Sequence, residues 1–420
     1  MKYLLLIIFL IGCLANAHAE DVSLKDLFQQ ALQLNELIKV SESQTQEKAE
    51  KFRQTWGSLL PTLGMNLSLL DQDLPPGGRG SGTQGAFRNP RQTTWKFVLS
   101  QPLFRGGAEY FNWHVASKNE EAQVASYNSA QRDLYKQTAL GFYSVLSKEK
   151  DLEIVSNLLD LIEKRVSYLK ARAKTGQSKH TDVLLALSQE AVTRAQKKAA
   201  ETDFKKARTD FTFLTGLTSE QKLKDNDRIP SIEDQDYYLD KVLERPDLSS
   251  LKLLWEASEN AVAVTRSGHF PTADFNANYY LKRQGVMEGA DWDFTLSFSL
   301  PIFQGGVVQS QLRESVYKKN QAALNYMYAK RKAENDIKNI YGVIRGLLDQ
   351  VQSINEARVL VEKNYEQIRR DYQVGVANNL EVLQAMNTLI DTKRTYYRTL
   401  YDLKSRYYEL IYYSGQGLSL

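Results

Sequence analysis

The clearest pattern in the chain is a heptad. Leu152, Val155, Leu159, Ile162, Val166, Leu169 and Ala173 are spaced alternately three and four residues apart. That spacing keeps one apolar seam turned toward a partner helix, as in coiled-coil packing. Val351, Ile354, Val361, Tyr365, Ile368 and Tyr372 repeat it, with Arg358 filling one seam position. No proline interrupts 107–174 or 306–374. Each stretch predicts one helix of about 65 residues, roughly 100 Å long at 1.5 Å per residue. Thr175-Gly176-Gln177-Ser178 and Val374-Gly375-Val376-Ala377-Asn378 follow as turns. Return helices come next, with Phe204, Ala207, Phe211 and Leu214 on one seam and Leu383, Met386, Ile390, Tyr397 and Leu400 on the other. The expectation is two antiparallel helical hairpins with tips at 175–181 and 374–380.

A second periodicity, of two residues, precedes each long helix. Leu63, Met65, Leu67 and Leu69 alternate with Thr62, Gly64, Asn66 and Ser68, and Trp95, Phe97 and Leu99 with Lys96, Val98 and Ser100. Phe275, Ala277 and Tyr279 alternate with Asp274, Asn276 and Asn278. Trp292, Phe294, Leu296, Phe298 and Leu300 alternate with Asp293, Thr295, Ser297 and Ser299. These are two strand pairs, each joined by a polar loop (71–91 and 282–291). Their alternation suits a membrane barrel, apolar outside and polar inside. It also suits soluble hairpins with one buried face. Four strands cannot close a transmembrane barrel, whose smallest bacterial form has about eight, so a barrel requires several chains. By counting alone, two or three would do.

The halves are a duplication. Gln101-Pro102-Leu103-Phe104-Arg105-Gly106-Gly107 returns as Leu300-Pro301-Ile302-Phe303-Gln304-Gly305-Gly306. Gly176 with Asp182-Val183-Leu184 returns as Gly375 with Glu381-Val382-Leu383. Residue 301 against 102, and 375 against 176, give one offset of 199, so the intervening segments are equal in length. Gly106-Gly107 and Gly305-Gly306 serve the bend from strand to helix, where glycine tolerates unusual dihedrals. Pro102 and Pro301 are expected to end their strands. The expected organisation is a signal peptide over 1–19, a first repeat over 20–215, a linker over 216–245 and a second repeat over 246–420.

The N-terminus points out of the cytoplasm. Lys2, the apolar run Leu4 to Ile11 and Ala17-His18-Ala19 have signal-peptide form, which puts the mature start near Glu20. Leu10-Ile11-Gly12-Cys13 also reads as a lipobox, although cleavage before Cys13 leaves a very short signal peptide. Cys13 is the only cysteine, so a chain that loses it has no disulfide. No later apolar run has the length of a membrane helix, and membrane insertion then requires a β-barrel. The balance of 54 basic and 50 acidic residues is nearly neutral, so nothing points to nucleic acid as a partner. His114, His180 and His269 are too scattered for a metal. Gly77-Gly78-Arg79-Gly80 lacks the strand–helix context of a phosphate cradle. No cofactor and no catalytic group is called for.

Taken together, the strand pairs, the Pro-x-Phe-x-Gly-Gly elements, the long helices, the glycine turns and the Asp/Glu-Val-Leu elements resemble the TolC family of outer-membrane efflux and secretion channels. Glu244-Arg245-Pro246-Asp247-Leu248 resembles the family's Arg-Pro-Asp element. The resemblance implies an α+β membrane protein: a homotrimer with a twelve-stranded barrel in outer-membrane lipid and a periplasmic α-barrel of coiled-coil helices. It implies a passive exit duct of a tripartite efflux pump or a type I secretion system, opened by a periplasmic adaptor and an inner-membrane transporter. It implies docking at the tips, with Gly176, Gln177, Gly375 and Val376, and gating or lumen-facing roles for Tyr372, Glu381, Asp182 and Gln384. Two positions depart from the family: Ala377 replaces an arginine that ties the closed channel, and Gln384 replaces a second carboxylate. A different account of Glu381 and Asp182 is available, since each stands in the first turn of a helix where a carboxylate complements the dipole. Asn378 and Glu381 also have capping-box spacing. The alternative function is a periplasmic coiled-coil adaptor, which would carry one hairpin flanked by small β-domains, not two hairpins and two strand pairs.

Overall fold

In a computed structural model, residues 22–73, 91–216, 221–284, 287 and 289–416 are described. The proposed signal peptide, Cys13, Glu20 and most of the 71–91 loop lie outside them. The elements in chain order are α1 (Leu24–Leu34), α2 (Glu36–Gly57), β1 (Thr62–Asp71), β2 (Arg91–Arg105), α3 (Ala108–Lys174), α4 (His180–Thr215) and α5 (Gln235–Asp240). A 3₁₀ turn (Val242–Glu244) leads to α6 (Pro246–Ser267), β3 (Thr272–Arg283), β4 (Trp292–Ser299), α7 (Val307–Gln373) and α8 (Asn379–Ser414). The long helices α3 and α7 have 67 residues each, and the return helices α4 and α8 have 36 each. The duplication is therefore equal in length across both hairpins. It also extends upstream: α2 and α6 are each 22 residues long and begin at 36 and 246, while β1 and β3 begin at 62 and 272.

The chain divides into two compact units, and each draws on both repeats. One holds Val40–Tyr127 and Pro246–Lys330, and its centre is an antiparallel sheet in the order β1-β2-β3-β4. The register fixes which side chains share a face. Met65 pairs with Phe97, Phe97 with Tyr279, and Tyr279 with Trp292; Leu63, Leu99, Ala277 and Phe294 form the neighbouring row. On the opposite face Thr62, Ser100, Asn276 and Thr295 line up. The apolar face is exposed, not buried against the rest of the unit, and among the described residues β1 and β4 have no partner strand on their outer edges. Among the described residues no helix is long and apolar enough to cross a membrane.

Pro102 does not end its strand, contrary to the expectation from sequence. β2 continues to Arg105, with Pro102 opposite Asp274 and a register shift between Pro102 and Phe104. The pairing of β1 stops at Thr62 with Ser100. Pro102 thus lies beyond the β1 ladder, beside a bulge, where a missing N–H is tolerated. In the second repeat β4 stops at Ser299, two residues before Pro301.

The other unit contains the chain up to Lys39, Asn128–Arg245 and Arg331–Leu420. Its hairpins meet in an apolar core of Ile162, Val166 and Leu169 from α3, Val183 and Ala186 from α4, and Leu383 and Met386 from α8. A second cluster packs Leu27 against Phe142, Tyr143 and Phe211. The C-terminus of α8 is held by two arginines. Buried Arg132 donates to the carbonyls of Ile411, Tyr412, Gly415 and Gln416, and Arg245 donates to that of Tyr413. The carbonyls of Ile411, Tyr412 and Tyr413 lie in the last turn of α8, where the helix supplies no i+4 donor, and those of Gly415 and Gln416 follow directly after it. The Arg-Pro-Asp element thus anchors α8 with its arginine. Its proline starts α6 where the absent N–H costs nothing.

Candidate functional site

Both tips are built the same way. The N–H of Gln177 donates to the Arg172 carbonyl at 2.8 Å and that of Gly176 to Ala173 at 3.1 Å. At the second tip Val376 donates to Asp371 at 2.8 Å and Gly375 to Tyr372 at 3.3 Å. This is the Schellman arrangement, in which the residue after the helix takes a left-handed conformation. Gly176 and Gly375 do so, with φ of 71° and 82°. The strand-to-helix bends also match between repeats: Gly106 and Gly107 have φ of 65° and 80°, and Gly305 and Gly306 have 62° and 80°.

The return helices begin differently. At α8 the Asn378 side chain accepts from the Glu381 N–H at 3.0 Å, and the Glu381 carboxylate accepts from the Asn378 N–H at 2.9 Å. This is a complete capping box. The equivalent position before α4 is Lys179, whose side chain makes no cap bond. Glu381 therefore caps its own helix, while Asp182 has no such duty.

The structure brings Asp182, Tyr372, Gln177 and Gly375 together around one cleft of about 540 Å³, with Arg172, Lys179 and Asn378 in its wall. Glu381, Gln384, Gly176 and Val376 do not line it. Beneath lies a contact that sequence reasoning missed. Arg165 Nε and Nη2 donate to Asn379 Oδ1 at 3.0 and 2.8 Å, and the guanidinium lies 4.0 Å from the Tyr372 ring centroid. Burial lowers the Arg165 pKa, opposed by Tyr372 and, more weakly, by Asp182. Asn379 is itself buried and donates to the Asp182 carbonyl at 3.5 Å. Arg165 thus ties α3 of the first hairpin to both helices of the second. The signal for it is a difference between repeats, because the position 199 residues after Arg165 is Asn364.

The profile of the outer membrane efflux protein family matches residues 27–217 and 240–416. The chain belongs to the outer membrane efflux protein family. Outer membrane protein TolC of Escherichia coli (strain K12) is 24% identical over 94% of this chain and 82% of its own length. Cation efflux system protein CusC of Escherichia coli O157:H7 is 21% identical over 89% and 82%. The crystal structure of the Campylobacter jejuni CmeC outer membrane channel superposes with a TM-score of 0.84 at 15% identity, covering 94% of this chain and 86% of that one. Membership in this family of channel proteins puts the protein in the outer membrane, in an efflux role. The TolC-like α+β fold is shared with the solved channels. The family is one of channels, not of enzymes.

Proposed function

We propose that the protein is the outer-membrane exit duct of a tripartite efflux pump or a type I secretion system. It acts as a homotrimer and is opened when a periplasmic adaptor and an inner-membrane transporter engage the hairpin tips. The observation that carries this reading is the sheet: an apolar face continuous across four strands, with both edges unpaired among the described residues. Open edges invite pairing with further strands, and a lipid-facing sheet cannot leave them open. Three copies supply twelve strands, and outer-membrane lipid covers the apolar face. The two repeats then divide the work, each giving two strands to the barrel and one hairpin to a periplasmic tube, with a cleaved leader over 1–19 and a linker over 216–245.

In this reading Arg165 stands in for the closing arginine that Ala377 cannot supply, since it reaches Tyr372 and Asn379 from the first hairpin. Glu381, Asp182 and Gln384 are the candidate lumen groups, and Gly176, Gln177, Gly375 and Val376 form the docking tips. The test is native mass in detergent together with planar-bilayer recording. A trimer that forms conducting pores is expected. A stable monomer without conductance removes the barrel.

A further inference from the structure

The pairing of β2 with β3 contains two bulges, and each reverses which side chains face the apolar surface. At the helix end, the register shift between Pro102 and Phe104 puts Phe104 opposite Ala273, in the apolar face, and turns Arg105 to the polar one. There Arg105 Nη2 donates to Asp274 Oδ1 at 3.2 Å. At the far end Lys96 pairs with Tyr280 but Trp95 pairs with Lys282, which leaves Leu281 as the extra residue. The side chains report the reversal: Arg283 joins Asn278 and Tyr280 around Asp293 in the polar face, its Nη1 donating to Asp293 Oδ2 at 3.2 Å. Lys282 is thereby turned onto the apolar face, beside Trp95. Strict alternation from Tyr279 would send it to the polar side. Lys282 is exposed and makes no ion pair among the described residues. Arg91, farther out on the same face, is already paired with Asp71. One bulge thus removes a cation from the apolar face, and the other places one there.

We propose that Lys282 and Trp95 form a seat for the phosphate-bearing headgroup of a lipid in the outer leaflet. The proposal rests on the barrel reading, which turns this face to lipid. A lysine on that face is costly at the membrane midplane and nearly free at its edge. Lys282 stands nine residues beyond Ala273, the first residue of β3 in the apolar face. That is roughly 30 Å along the strand and roughly 23 Å in height at a tilt of about 40°, close to the apolar band of about 25 Å. It therefore stands at the edge away from the helices. Tyr279 and Trp292 lie one row below, exposed on the same face, as aromatic side chains do at a headgroup boundary. A cation at this level meets the phosphates of lipid A. At the other edge of the apolar face, the described strand residues place no cation, so the seat serves one leaflet only.

The test is native mass spectrometry of the whole protein in detergent, titrated with lipid A or with lipid A stripped of its phosphates. The phosphorylated lipid should bind more tightly. Lys282→Gln should bind it about fivefold more weakly, and Lys282→Glu more weakly still. Neither variant should change binding of the stripped lipid, strand content or bilayer conductance. Equal binding of the two lipids, or unaltered lipid A binding by Lys282→Gln, overturns the proposal. So does displacement of lipid A by inorganic phosphate alone, which would make Lys282 a site for free anions. Conductance together with equal binding of the two lipids overturns the headgroup seat and leaves the barrel standing. A protein that neither conducts nor retains either lipid overturns the barrel reading and the seat with it.

Discussion

The guanidinium of Arg165 lies 4.0 Å from the centre of the Tyr372 ring, on the opposite hairpin. Its two hydrogen bonds to Asn379 fix that geometry from the other side. The contact is polar but partly shielded from water, so it is stronger than an exposed pair. Arg165→Ala should loosen the two tips from one another. Hydrogen exchange at Glu381 and Val382, whose N–H groups donate to Asn378, should quicken, and in bilayers the mean conductance should rise. Arg165→Lys keeps the charge without the planar fork and should fall between the two. Unchanged exchange in Arg165→Ala would show that the apolar core below holds the tips alone.

The Schellman turns make a second prediction. Valine strongly resists the left-handed conformation of Gly176 and Gly375. Each Gly→Val change should cost about 1–2 kcal/mol of local tip stability. The readout is exchange of the Gln177 and Val376 amides, which those turns protect. In the duct reading, assembly in detergent should stay constant while efflux is lost. Normal efflux in the double variant would mean the tips do not receive the partner.

Arg132 makes the third. It serves four carbonyls at the end of α8 with its aliphatic stem buried. Arg132→Met keeps the stem and removes the donors, and should cost about 2–4 kcal/mol. Urea unfolding followed by tyrosine fluorescence measures it. A loss below about 0.5 kcal/mol would indicate that water replaces the guanidinium.

A fourth concerns alkaline pH. Burial, with Asp227 accepting from both hydroxyls, raises the Tyr143 and Tyr408 pKa values well above the ordinary value. Burial also pushes Tyr401 up to about 12. A raised folded-state pKa gives stability that is complete below the unfolded value, about 10, and lost as pH climbs toward the folded one. The melting temperature should therefore be flat from about pH 7 to 9 and fall steeply above about pH 10. In Tyr408→Phe the fall should be shallower. An equal slope in the variant would assign the alkaline loss to other groups.

What the sequence reveals here follows the range of the interaction. The α3 seam was legible because Leu159, Ile162, Val166 and Leu169 are all buried by contacts that the heptad itself announces. The strand faces were legible from alternation, and the register later aligned Met65, Phe97, Tyr279 and Trp292 across four strands. The Asn378–Glu381 box was also visible, because its two residues stand only three positions apart. Arg165 with Asn379 was not: the pair is polar, sits beside the seam and spans 214 residues. The bulge that carries β2 past Pro102 was hidden for a related reason, since it depends on where β1 stops pairing.

The last prediction separates charge from cap at Glu381. In a trimer three copies of this carboxylate would surround one axis, and a ring of like charge in a narrow pore favours cations. Its hydrogen bond to the Asn378 N–H does not remove that charge. Glutamine can accept the same bond, because it serves in capping boxes as glutamate does. Glu381→Gln is therefore a nearly pure charge deletion, costing about 0.5 kcal/mol or less through the helix dipole. Cation selectivity in bilayer recordings should fall while the tip amides keep their exchange protection. Gln384, one turn on, has no charge to compensate. Asp182→Asn is the internal control: Asp182 lines the cleft between the tips, which Glu381 does not, so its effect on selectivity should be smaller. Should Asp182→Asn alter selectivity and Glu381→Gln leave it intact, the first hairpin is the one that lines the pore. Should neither matter, Glu381 serves only its helix cap and Asp182 only complements the helix dipole, and the constriction is set by other side chains.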